Sequence, residues 1–134
     1  MNTLSQQPKK IGMIGLGKLG LPCAVAMAHK GLDVMGYDIN PANMSKDSIQ
    51  YQETGPDGVS PFNPWLESAT LQFGSLSQVA DHADVIFLAV QTPHDHRFEG
   101  TVPIPEERQD FDYSYLVSAV KELAKHVKGP TPVV

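Results

Sequence analysis

Ile11-Gly12-Met13-Ile14-Gly15-Leu16-Gly17-Lys18-Leu19-Gly20 decides how the rest of the chain is read. Four residues with no charge, two of them isoleucine, run into three glycines spaced G-x-G-x-x-G, and a segment of helical period follows. The run before Gly15 has the profile of a strand buried on both faces. From Leu19 to Lys30, Leu19, Ala24, Met27 and Ala28 can share one helical face, and Gly31 stands where a left-handed residue would end the helix. The spacing therefore predicts strand, glycine turn, helix, which is the context a phosphate-binding glycine turn requires.

Working outward, Asp33 to Asp38 reads as a second strand, and Asn40-Pro41 as an N-cap with proline at the first position of a second, shorter helix. Tyr51 to Pro64 is rich in Gly, Pro, Asp, Ser and Asn and reads as a long loop. Leu71-Gln72-Phe73 is a short strand. Ser75 or Ser77 caps a brief helix with Leu76, Val79 and Ala80 inward, and Val85 to Val90 is the next strand. Pro93 to Phe111 is irregular, rich in proline and charge, and long enough to suggest a site mouth. Asp112 caps a last helix with the stripe Leu116, Val120, Leu123 and Val127, and Gly129-Pro130 stops it. Pro132-Val133-Val134 begins one more strand. Strands alternating with helices predict an α/β, Rossmann-type doubly wound parallel sheet of strand order 3-2-1-4-5, truncated at its C-terminal edge. Residues 1–9 form a polar lead and residues 10–134 one domain of a longer protein.

Each element of the turn has a chemical task. Gly15 permits the tight bend, Gly17 lets a pyrophosphate approach the backbone, and Gly20 allows helix and strand to pack closely. Unpaired N–H groups around Lys18 and Leu19 face the phosphates. Asp38 ends the second strand about twenty residues on, where a carboxylate accepts hydrogen bonds from the adenosine ribose. It repels a 2′-phosphate, and no arginine neighbours it in sequence, so NAD is expected over NADP. In the expected order the fourth strand lies beside the first, so Val90 and Thr92 reach the same crevice, Val90 by packing and Thr92 by its hydroxyl.

Composition narrows the function classes. The chain has 134 residues, 41% of them hydrophobic and 19% charged, which suits a buried core. A net charge of -5 argues against a nucleic-acid or anionic-lipid surface. The apolar run Val85–Val90 is too short to cross a bilayer. Neither a nucleic-acid nor a membrane partner is expected, and a cytoplasmic location is. One cysteine, Cys23, allows no internal disulfide, and no lysine or histidine is placed to activate it, so a packing role is expected and no catalytic residue is assigned. His94-Asp95-His96 offers metal-ligand chemistry on a single loop, but a solvated loop is the expectation and no metal is assigned.

The stretches Ile11–Pro22, Gly36–Pro41, Ala83–Pro93 and Asp112–Leu116, above all Val90-Gln91-Thr92-Pro93 followed by Asp112-Tyr113-Ser114-Tyr115-Leu116, resemble the NAD-binding domain of the UDP-glucose/GDP-mannose dehydrogenase family. The resemblance implies a four-electron, NAD-dependent oxidation of a nucleotide sugar's primary alcohol to a carboxylate. It places the residues matching Gly15, Gly17, Leu19, Asp38, Val90 and Thr92 against NAD. The catalytic cysteine and lysine it implies would come from a downstream domain, and a homo-oligomer is expected of the full-length enzyme. The sequence departs from the family at Lys18, where an aromatic residue is usual, at Asn43, near which a basic one is frequent, and in a longer stretch from His94 to Asp110. A β-hydroxyacid dehydrogenase of the 6-phosphogluconate type and a non-catalytic nucleotide-binding module are the alternative readings. This chain alone is expected to bind NAD weakly, to turn over no substrate, and to self-associate along an uncovered strand edge.

Overall fold

The computed structural model describes residues 10–45, 56–59, 64–65, 70–103 and 105–134. Four parallel strands form one sheet: β1 (Lys10–Ile14), β2 (Asp33–Tyr37), β3 (Leu71–Phe73) and β4 (Val85–Leu88), in the order β3-β2-β1-β4. Among the described residues, the helices α1 (Gly20–His29), α2 (Leu76–His82) and α3 (Ser114–Ala124) connect and flank them. Val133 makes a parallel bridge to Ile86, and Val134 both donates to Ile86 and accepts from Leu88, each at 2.9 Å. The expected fifth position beside β4 is thus occupied by a bridge rather than by a full strand.

β1 is central because it can be buried on both sides. Residues Ile11 to Ile14 are all buried, with Ile11 paired to Val34 on one side and Val85 on the other. Alternation along the strand divides its side chains between two cores. Ile11 and Met13 join Leu16, Leu21, Ala24, Val25, Ala28, Val34 and Leu71 beneath α1. Ile14 joins Val79, Ala80, Ile86 and Leu123 beneath α2 and α3. Helices therefore cover both faces of the parallel sheet, as its doubly apolar strands require.

Local signals end the elements. Gly31 has a φ of 89°, its N–H bonds to Ala28, and the Leu32 N–H reaches back to Met27, a paired closure that uses the last carbonyls of α1. Ser75 caps α2 reciprocally: its hydroxyl accepts from the Gln78 N–H while the Gln78 side chain accepts from the Ser75 N–H. His82, at the far end of α2, places Nε2 3.2 Å from the Asp33 carbonyl oxygen and ties that helix to the start of β2.

Several expectations need correction. Leu19 was expected on the buried face of the first helix, but it precedes α1 and is 69% exposed. The close seat of Gly20 on Gly15 turns Leu21, Ala24, Val25 and Ala28 inward instead. After β2, Asn40 does cap through a bond from the Ala42 N–H, yet only the single 3₁₀ turn Pro41–Asn43 follows among the described residues. β4 stops at Leu88, two residues early, because the Ala89 N–H makes the final bond to Ile14, where β1 ends. In α3 only Leu123 of the expected stripe is buried, and Val120 is 45% exposed, because α2 lies under just one end of the helix. Most of the long loop from Tyr51 to Pro64 falls outside the described residues. Where Trp65 is seen, it stacks on His29 at 5.0 Å between ring centroids.

Candidate functional site

The glycine turn sits where β1, β2 and β4 end together. Gly15 has a φ of 94°, donates its N–H to the Tyr37 carbonyl at 2.9 Å, and leaves so little room that an added Cβ would stand 2.5 Å from the Ala89 carbonyl oxygen. That contact puts the glycine turn against the Ala89-Val90 backbone at the end of β4. At Gly20 a Cβ would come within 1.8 Å of the Gly15 carbonyl oxygen. Gly17 differs from both, since nothing lies within 4 Å of a Cβ built there. Two glycines close the turn, and the third leaves its outer surface open.

The open surface leads to the start of α1. Leu19 holds the cap position and no side chain caps this end. The first helical bonds here run from Leu21 to Gly17 and from Cys23 to Leu19, and the N–H groups that open a helix have no intrahelical acceptor. Pro22 in the first turn has no N–H to satisfy. An uncapped helix start beside an unobstructed glycine carries partial positive charge toward the crevice and suits a phosphate oxygen. Lys18 is exposed at the same place.

Asp38 is the buried carboxylate of this end of the sheet, 8% exposed. Its Oδ2 accepts the Leu16 N–H and its Oδ1 the Asn40 N–H, both at 2.7 Å. The acid therefore grips the glycine turn from behind, a role that no sequence signal announced, since its partner lies across two strands. Each oxygen keeps a further lone pair, so the group can hold the turn and still accept from a ribose hydroxyl. Val90 is half-buried against the core that contains Ile14 and Ile86, and Thr92 is exposed just beyond it. The structure thus gathers Gly15, Gly17, Lys18, Leu19, Gly20, Asp38 and Val90 around one crevice, with Thr92 at its margin. Cys23 packs half-buried against the core under α1.

Past Thr92 the long loop is closed at its neck by the Asp112 N–H donating to Pro93 at 2.7 Å. Arg97 braces it: the guanidinium binds both oxygens of Asp95 and reaches Gln109 Oε1 at 3.1 Å. The Arg97 hydrogen bonds hold the Asp95 carboxyl below the ordinary aspartate value and raise that of Arg97 itself. His96 Nδ1 is 2.6 Å from Glu99. His94 Nε2 also faces Glu99 Oε1, at 3.9 Å, while Asp95 turns to Arg97, and among the described residues no three His, Cys, Asp or Glu side chains form a group that could hold a metal ion.

The NAD-binding-domain profile of the UDP-glucose/GDP-mannose dehydrogenase family matches residues 9–134. The chain belongs to that family. NAD is the cofactor of this domain, and the open turn and uncapped helix fit a dinucleotide diphosphate. The chain is 34% identical over 129 residues to the UDP-glucose 6-dehydrogenase of Rhizobium meliloti, covering 93% of this chain and 27% of that protein. It is 30% identical over 129 residues to a UDP-N-acetyl-D-mannosamine dehydrogenase of Methanococcus maripaludis, covering 94% and 27%. Among solved structures, the UDP-D-ManNAc dehydrogenase of Pyrococcus horikoshii superposes with a TM-score of 0.62 at 26% identity over 92% of this chain and 27% of that one. The chain spans about a quarter of the length of these relatives. Among the described residues no helix is long and apolar enough to cross a membrane.

Proposed function

We propose that residues 10–134 form the NAD-binding part of a nucleotide-sugar 6-dehydrogenase, which oxidises the sugar C6 alcohol of a UDP- or GDP-sugar to a carboxylate with two NAD. The observation that carries this reading is the open, uncapped helix start at Gly17 with the Asp38 carboxylate directly behind it. NAD supplies the hydride acceptor; everything this chain contributes is grip and orientation. N–H groups around Lys18 and Leu19 meet the diphosphate, Gly17 allows its approach, and Gly15 and Gly20 keep the turn tight. Asp38 accepts from the adenosine ribose and disfavours a 2′-phosphate. Val90 packs beside the cofactor and Thr92 offers it a hydroxyl. Catalytic groups are assigned to a downstream domain of the longer enzyme, which acts as a cytoplasmic homo-oligomer on its nucleotide-sugar substrate. NAD and NADP titrations of the chain and of Asp38→Asn test the assignment. Asn cannot repel a phosphate as a carboxylate does, so the preference for NAD should narrow; an unchanged preference would remove Asp38 from the ribose site.

A further inference from the structure

The helix α3 has two apolar flanks and buries only one. Leu123 is buried with Ile14 and Ile86, and Val127 packs on the same core. Tyr113, Val117, Val120 and Ala124 recur at spacings of four, three and four, and so share a second flank about a quarter-turn around the helix. Tyr113 is 44% exposed, Val117 48% and Val120 45%, and Ala124 is exposed with them. Apolar residues at this spacing form the seam along which one helix packs on another. Charge is divided along the same helix. Asp110 and Asp112 precede it, and the Asp112 carboxylate is held at its start by the Ser114 N–H at 2.9 Å. Lys121, Lys125 and Lys128 gather at the other end. Lys125 is paired with Glu122 and Lys128 with Asp81, whereas Lys121 makes no ion pair among the described residues.

A surface with an acidic start, an apolar middle and a basic end is complementary to itself once a second copy is turned end for end. About a two-fold axis between Val117 and Val120, Val117 meets Val120 of the second copy, and Tyr113 meets its Ala124, a large side chain on a small one. Lys121 then comes level with Ser114 of the second copy, where the Asp112 carboxylate is held. Parallel pairing would instead oppose Asp112 to Asp112 and Lys121 to Lys121. We propose that this flank of α3 is an interaction surface for a second copy of the chain, joined antiparallel by the valines and by two symmetric Lys121–Asp112 ion pairs. The 11 residues of α3 span only about 16 Å, so the interface is small and the dimer weak, with a Kd of about 0.1–1 mM.

Sedimentation equilibrium of the chain across about 0.01–1 mM tests the proposal. A reversible monomer–dimer equilibrium is expected. Val117→Lys should weaken it at least tenfold while Tm stays at the wild-type value, since Val117 lies outside the core. Lys121→Glu and Asp112→Lys each oppose like charges and should weaken it at least fivefold. A one-to-one mixture of these two variants should restore wild-type dimerisation, because each copy then meets its opposite. Asp112→Lys also gives up the bond to the Ser114 N–H, and recovery in the mixture is a readout that a frayed helix cannot produce. The competing surface is the outer edge at Val133: Pro132 and Val134 bond to Ile86, so the Val133 N–H faces away from β4. Gly17→Ala, altered at the diphosphate crevice, should dimerise as the wild type, so failure of the NAD reading and failure of this surface read differently. A monomer throughout, wild-type dimerisation in Val117→Lys, a mixture that stays monomeric, or association lost only in Val133→Pro overturns the α3 surface.

Discussion

Replacing Gly17 and Gly20 by alanine, one at a time, separates the open part of the turn from its closed part. Gly17 is not among the glycines with positive φ, and a methyl group there meets nothing within 4 Å. Gly17→Ala should therefore fold normally, and its reduced freedom in the unfolded chain adds about 0.4–1 kcal/mol of stability. The same methyl group would stand in the path of the diphosphate that we propose meets these amides. Losing one charge-assisted hydrogen bond of about 1.5–3 kcal/mol weakens NAD about ten- to hundredfold. Gly20→Ala has the opposite signature. Its Cβ would lie 1.8 Å from the Gly15 carbonyl oxygen, so helix and turn must separate by more than a side chain can absorb. Overpacking of this kind costs about 1–3 kcal/mol or more, and at about 4 °C per kcal/mol for a domain of this size Tm should fall by at least several degrees. Thermal unfolding by circular dichroism and NAD titration by protein-observed NMR, which tolerates weak binding, measure both effects. Wild-type NAD affinity in Gly17→Ala, or a wild-type Tm in Gly20→Ala, would refute the division of labour within the turn.

Other outcomes follow from the same contacts. Asp38→Asn keeps one acceptor oxygen for two backbone N–H groups, so besides altering cofactor choice it should cost about 1–3 kcal/mol, read as a lower denaturation midpoint. Ser75→Ala removes one half of the reciprocal cap on α2 and should lower stability by about 1 kcal/mol, with NAD affinity unchanged. The hydrogen bonds from Arg97 lower the Asp95 carboxyl from its ordinary value of 3.8, so the brace contributes fully above that value and is lost as pH falls through the depressed one. Hydrogen exchange across the loop should accordingly rise only in acid, whereas Arg97→Gln should show the rise already at neutral pH. Leu123→Ala, at the buried contact of α3, should cost about 2–5 kcal/mol, while Val120→Ala on the same helix should change stability far less.

Local chemistry wrote much of this molecule directly into its chain. The apolar run before Gly15, the left-handed stop at Gly31, the Ser75 cap and the glycine spacing each act over a few residues, so strand, turn and helix and their parallel order were legible. The family signature in Val90–Pro93 and Asp112–Leu116 was legible for the same reason. Tertiary structure decided which faces those elements present. Leu19 points outward because Gly20 rests on Gly15, and Val120 is bare because α2 reaches only the far end of α3. Asp38 braces the glycine turn because β1 and β2 end side by side, which brings the Leu16 amide to a carboxylate far along the chain. The cross-brace of Arg97 arises in the same way, from the folding back of an irregular loop whose composition has no period to read. Short-range forces set the elements; only their packing could set who meets whom at the crevice.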